Sequence, residues 1–230
     1  VAQMRASTAV LGPLISRFGK AVVAMPGGCN IGARKIDMHI LGLEALGVEF
    51  KVEHGNIHAS APHGIIGETV SLAFASVGAT ENLMMASVFA KGVTVIDNAA
   101  REPEIVDLAN MLNKMGANIQ GAGSPVIEIH GVTELHPVEH EVVGDRIEAG
   151  TFLAIGALTG EPITVHGFEP NHLGLVLKKY EQMGITIETG DRWARASRQQ
   201  DLKAIDIQTL PFPGFPTDMQ AQTMTLLALA

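Results

Sequence analysis

The stretches LGLEALGVEFKV (41–52), ANMLNKMGANIQ (109–120) and LKKYEQMGITIE (177–188) decide the fold. Each reads as an amphipathic helix stopped by a glycine and followed by a short alternating strand, the change of period that marks a helix–strand junction. Their glycines, Gly47, Gly116 and Gly184, stand 69 and 68 residues apart. Upstream of each lies another helix, MRASTAVLGPLISRFG (4–19), TENLMMASVFAKG (80–92) or IEAGTFLAIGALTG (147–160), which runs to Gly19, Gly92 or Gly160. A β-branched strand follows in each case: AVVAM, VTVID or PITVHG. The glycines suit helix C-caps, where a left-handed residue is needed.

One unit therefore reads strand, helix, strand, helix, strand, strand in about 68 residues, and the chain holds roughly 3.4 such units. The last two strands form a hairpin, as in ANIQGAG followed by SPVIEIHGV. The helices are apolar round most of their circumference and are expected to be buried, with the sheets outside them. The chain starts at Val1 and stops at Ala230 inside a helical pattern, which reads as a piece of a longer protein. Residues 1–143 are expected to hold about two units of one domain. The segment ELHPVEHEVVGDR then leads into 144–230, part of a second domain.

Composition narrows the function. Of 230 residues, 47% are hydrophobic and 17% charged, a core-forming balance. Only 4% are aromatic, so Ala, Val, Ile, Leu and Met must build the core. The net charge of −8, with no basic run, argues against duplex nucleic acid or an anionic membrane, but not against a small anion held by a few arginines. No apolar run reaches the ~20 residues of a membrane span, and no signal peptide is visible. The single cysteine, Cys29, fits a reducing compartment, the cytoplasm. The nine histidines show no metal spacing, so no metal or cofactor is expected; His54, His58 and His63 are expected to face solvent.

Function is best sought where the repeat breaks. The two glycine series are 24 residues apart in the second and third units but 28 apart in the first. The four extra residues fall in PGGCNIGARKIDMH, around Cys29. A lone cysteine is commonly a small buried hydrophobe. Here it lies in a glycine-rich insertion five residues before Arg34, a setting that favours thiolate and reactivity. Charge at helix starts is a second irregularity. Arg5, Gly78 and Arg146 stand 14 residues before the first-helix glycines, and Thr217 and Asp218 open the last helix. Helix N-termini with arginines suit anions. The plainer reading is N-capping by Ser7, Thr80 and Thr217. Asp218 reads either as a complement to the helix dipole or as a general base. In AAREPEIVD, Arg101 and Glu102 either support a loop or line a cleft, before a helix opened by Pro103.

MRAS, GGCNIGARKIDMH, SVGATEN, NAAREPEIVDLAN, DRIEAGTF and FPTDMQAQ together resemble the UDP-N-acetylglucosamine enolpyruvyl transferases, over the full length of the chain. The resemblance implies the inside-out α/β barrel of the enolpyruvyl transferase family, with six units in two globular domains around a cleft. Six units would span about 410 residues. It also implies transfer of the enolpyruvyl group of phosphoenolpyruvate to the 3′-hydroxyl of UDP-N-acetylglucosamine with release of phosphate, the first committed step of peptidoglycan synthesis in bacteria.

The residue roles that follow belong to the resemblance. Cys29 matches the loop cysteine that acts as general acid, adds to phosphoenolpyruvate and is alkylated by fosfomycin. Arg34 matches the loop arginine that meets both substrates, Arg5 a cleft arginine, and Asp218 the favoured base at the 3′-hydroxyl. Lys35, Ile36, Asp37 and Met38 fall on the uridine-binding stretch, and Ser76, Val77 and Gly78 on a diphosphate-binding turn. Glu102, Arg146, Glu148 and Thr217 fall on cleft-lining positions. Two residues depart from the pattern. Phe74 stands where the family carries a lysine, leaving one phosphate contact unaccounted for, and Lys35 replaces a common proline. The rivals are 3-phosphoshikimate 1-carboxyvinyltransferase, which lacks the cysteine insertion, and a non-catalytic scaffold. Substrate-binding residues of the family outside this stretch imply that the 230 residues alone do not turn over.

Overall fold

A computed structural model describes residues 5–25 and 36–230, and of residues 5–7 the backbone only. The chain divides into two compact units, Val1–His140 and Glu141–Ala230. In the first, a 3-10 helix (Arg5–Val10) runs into α1 (Leu11–Phe18), then β1 (Lys20–Ala24), α2 (Asp37–Ala45), β2 (Glu49–Glu53) and β3 (Asn56–Ser60). A complete βαβαββ repeat follows: β4 (Thr69–Ser71), α3 (Val77–Ser87), β5 (Val93–Asp97), α4 (Pro103–Lys114), β6 (Asn118–Gln120) and β7 (Val126–His130). The second unit holds α5 (Arg146–Thr159), β8 (Ile163–His166), a 3-10 turn (Pro170–Leu173), α6 (Gly174–Gln182), β9 (Thr186–Gly190) and β10 (Trp193–Ser197). A 3-10 turn (Thr217–Met219) and α7 (Gln220–Leu227) complete it.

The sheets repeat one topology. Their strand orders are β1-β3-β2, β4-β5-β7-β6 and β8-β10-β9, antiparallel except for the parallel β4–β5 pair. In each, the hairpin's second strand lies between the other two strands of the unit. The third repeat departs from the pattern at its start: residues 131–145 carry no strand, so that repeat opens directly on α5.

The first glycine series ends its helices as the spacing predicts. Gly47, Gly116 and Gly184 have φ of 89°, 107° and 89°. Each donates its N–H to the carbonyl three residues back (Glu44, Asn113, Glu181), and the next residue donates to the carbonyl five back (Leu43, Leu112, Tyr180). This paired bonding is the Schellman motif, and it aims the chain from the helix into the following strand. Gly19 and Gly160 cap α1 and α5 in the same left-handed region. Gly92 does not cap a helix. α3 stops at Ser87, and Gly92, at φ 99°, sits at the entry to β5.

α3 is the central helix of the first unit, with seven of its eleven residues buried from Ala79 to Ser87. It packs against α1, α2 and α4. Leu11, Ile15, Leu43, Leu83, Met84, Ile96, Ile105 and Ile127 make the core around it, and Leu153, Tyr180, Phe215 and Met219 centre the second core. Burial of the other helices is less complete than their composition predicts. Phe18 on α1 is 67% exposed, and Phe152 and Ile155 on α5 are also open, because no described element of the chain packs over those faces. His54 and His63 are exposed, whereas His58 is half-buried in β3. Among the described residues no helix is long and apolar enough to cross a membrane.

Candidate active site

The helix starts singled out by charge are real helix starts, but their caps differ from those expected. Ser76 is the N-cap of α3, its hydroxyl accepting from Ala79 N–H. Thr80 lies one turn inside the helix, where its hydroxyl donates to Ser76 O at 2.8 Å and accepts from Ala100 N–H at 3.0 Å. It therefore ties α3 to the loop before α4 rather than capping. Asp145 caps α5, accepting from Ile147 and Glu148 N–H at 2.8 and 3.0 Å. Pro216, not Thr217, holds the cap position of the last 3-10 turn, with no side-chain cap bond. Ser7 falls inside the first 3-10 helix, whose N-terminal residue is Arg5.

In the first unit, Ile36 precedes α2, Asp37 opens it exposed, and Met38 packs on the core. Residues 76–78 open α3 beside it. A Cβ on Gly78 would lie 3.2 Å from His39 Cε1 and 3.4 Å from its Nε2, so glycine lets the two helix starts approach. The uridine-binding and diphosphate-binding stretches implied by the resemblance are thus neighbours. Phe74 is 56% exposed, so it does not trade the family's lysine for core packing.

Glu102 is buried at the N-cap position of α4, with Pro103 in the first turn. Its charge and that of Glu104 reach Glu81 on α3. Desolvation first, then Glu104 and Glu102, push the Glu81 carboxyl above its usual range. The motif SVGATEN does not by itself single out Glu81 or Asn82. Asn82 is a polar residue on a largely buried, mostly apolar helix. Cys29, Arg34 and Lys35 lie outside the described residues.

In the second unit, Arg146 is buried at the start of α5, its guanidinium 5.4 Å from the centre of the Phe212 ring. Glu148 is exposed in the first turn. The 3-10 turn bearing Thr217 and Asp218, both exposed, packs on the next turn of the same helix. A Cβ on Gly150 would come 2.8 Å from Met219 Cε and Sδ, and Gln222 donates to Thr151 Oγ1 at 2.8 Å. Arg146, Glu148, Thr217 and Asp218 therefore gather at one end of the α5–α7 pair. Among the described residues, no three His, Cys, Asp or Glu side chains group as a metal site.

The first unit offers a helix N-terminus at residues 76–78 and the second a buried arginine, groups that bind anions; the second also offers an exposed carboxylate, a group that can take a proton. Comparisons with known proteins identify the family. The model of the family EPSP synthase (3-phosphoshikimate 1-carboxyvinyltransferase) matches residues 1–230. UDP-N-acetylglucosamine 1-carboxyvinyltransferase 1 of Staphylococcus aureus (strain MRSA252) is 53% identical over 230 residues, and that of Staphylococcus epidermidis (strain RP62A) 51%. The chain spans 55% of the length of either relative. In fold it is similar to the enolpyruvyl transferase NikO from Streptomyces tendae, with a TM-score of 0.81 at 22% identity over 97% of this chain and 54% of that one. EPSP synthase from Acinetobacter baumannii follows at 0.65 and 20%, over 97% and 50% of the two chains. A family model that matches from the first residue to the last, on a chain with the βαβαββ repeat, places this protein in the enolpyruvyl transferase family.

Proposed function

We propose that the protein transfers the enolpyruvyl group of phosphoenolpyruvate to the 3′-hydroxyl of UDP-N-acetylglucosamine, in the cytoplasm, at the entry to peptidoglycan synthesis. The observation that carries this reading is the 53% identity across all 230 residues to a relative named for that reaction. The sequence carries Cys29, Arg34 and Asp218 at the motif positions the resemblance names. In the proposed reaction Asp218 takes the 3′-hydroxyl proton while Cys29 delivers a proton to C3 of the enolpyruvate, and the sugar oxygen bonds to C2. The resulting ketal loses a C3 proton and expels phosphate, restoring the double bond. Arg34, Arg5 and the helix N-terminus at residues 76–78 offset carboxylate, phosphate and diphosphate charge. Lys35, Ile36, Asp37 and Met38 hold the uridine, and Glu102, Arg146, Glu148 and Thr217 are further substrate-lining positions.

The protein expressed from its complete reading frame is expected to release phosphate from phosphoenolpyruvate only when UDP-N-acetylglucosamine is present. Release driven instead by shikimate 3-phosphate would move the assignment to the sister activity. Fosfomycin is expected to add its mass at Cys29. The Cys29→Ser variant should take up none, and equal labelling of that variant in intact-mass spectra would refute the cysteine's role.

A further inference from the structure

Asn82 is fully buried on α3, and its side chain makes three hydrogen bonds to three different segments, using both donors of its amino group and one lone pair of its oxygen. Its Oδ1 accepts from Gly12 N–H of α1 at 2.6 Å. Its Nδ2 donates to Thr8 O at 3.0 Å and faces His39 Nδ1 of α2 at 3.1 Å. The orientation of the amide is determined twice over. Gly12 N–H can only donate, so the oxygen must face it, and Thr8 O can only accept, so the amino group must face that side. A Cβ on Gly12 would overlap Asn82 O and Oδ1, so nothing larger fits at that contact.

An amino group cannot accept. His39 Nδ1 must therefore be the unprotonated nitrogen, and a neutral ring carries its proton on Nε2. The ring edge bearing Cε1 and Nε2 is the edge that lies against Gly78, at the start of α3. We propose that Asn82 is a positioning residue: it locks His39 in the Nε2–H tautomer, so that the proton-bearing edge faces the turn at residues 76–78. There the N–H dipole adds to that of the helix N-terminus and favours an anion. The opposite tautomer would turn a lone pair toward the same place. This rests on the reading of that turn as the diphosphate-binding site of UDP-N-acetylglucosamine, and names how the fold tunes it.

The Asn82→Asp variant keeps shape but replaces the amino group with an acceptor, which calls for a proton on His39 Nδ1. Long-range 1H–15N spectra of the wild-type protein from its complete reading frame should show His39 protonated at Nε2 and bare at Nδ1; a proton on Nδ1 overturns the proposal without any variant. In N82D the Nδ1 resonance should move to the protonated range. The KM for UDP-N-acetylglucosamine should rise about tenfold or more, the size expected for a misaligned hydrogen bond to a charged group, with kcat changed far less. In a His39→Leu background N82D should raise KM no further, because the partner it acts through is gone; a full further rise would assign the effect to buried charge and overturn the proposal. Failure of the wild type to bind UDP-N-acetylglucosamine would sink the functional reading and the binding role with it. Binding that is normal in wild type and unchanged in N82D would sink this inference alone.

Discussion

Glu81 shows how one side chain reports on its surroundings. It is half-buried on α3, with Glu102 and Glu104 of the neighbouring segment near enough to repel its charge. Its folded pKa is raised above the usual 4.5, so ionising it costs more in the folded protein than in the unfolded chain. The native state keeps its full stability below 4.5 and loses part of it as pH rises through the raised value. Glu81→Gln is therefore expected to raise the thermal midpoint at neutral pH and to change nothing at a pH below the carboxylate range. A midpoint that falls at both would show that Glu81 makes a favourable contact instead. The roles of Glu81 and Asn82 are not legible in the sequence, even though a polar Asn82 on a mostly apolar helix is visible there, because those roles depend on α1, α2 and α4, none of which is adjacent to them in the chain. Cys29 is the opposite case: its insertion is visible only by counting residues between repeats.

Helices and strands were the most legible level. The Schellman glycines were placed by spacing alone, since the helix period and the strand period meet at one residue whose φ must be positive. Gly116→Ala is expected to cost about 1–2 kcal/mol, the price of a side chain in the left-handed region. Gly174, with φ −49° and nothing within 4 Å of its added Cβ, is the control: Gly174→Ala should stabilise by about 0.4–1 kcal/mol. Equal effects in chemical denaturation would contradict the motif. Gly92 was misplaced because a glycine before a strand and a glycine after a helix look alike in sequence. Four residues, Val88 to Lys91, lie between the end of α3 and Gly92 here. The caps were misplaced for a related reason. Ser, Thr and Asp cluster at helix starts, and only backbone geometry tells which hydroxyl reaches a free N–H: Ser76 does, Thr80 bonds to Ala100.

Across the whole molecule, residues 131–145 carry no helix or strand between β7 and α5, and residues 136–139 are exposed. Protease cleaving after glutamate is expected to cut first at Glu139 or Glu141, leaving fragments that match the two compact units. Earlier cuts inside α4 or α5 would show that the compact units are not the most stable parts. His140, which pairs with Asp107 at 3.0 Å, ties this stretch to α4. Repeat number, helix–strand order and the family were determined by the sequence, because periodicity and glycine spacing are properties of neighbours in the chain. The rest was decided by tertiary structure. Hydrogen bonds 70 and 71 residues long join corresponding helices of successive repeats, Gly12 to Asn82 and Thr151 to Gln222. Through them a buried amide selects a tautomer and an unremarkable glycine becomes the only residue that fits. Such relations need two segments to meet in space, and no pattern within either one records the meeting.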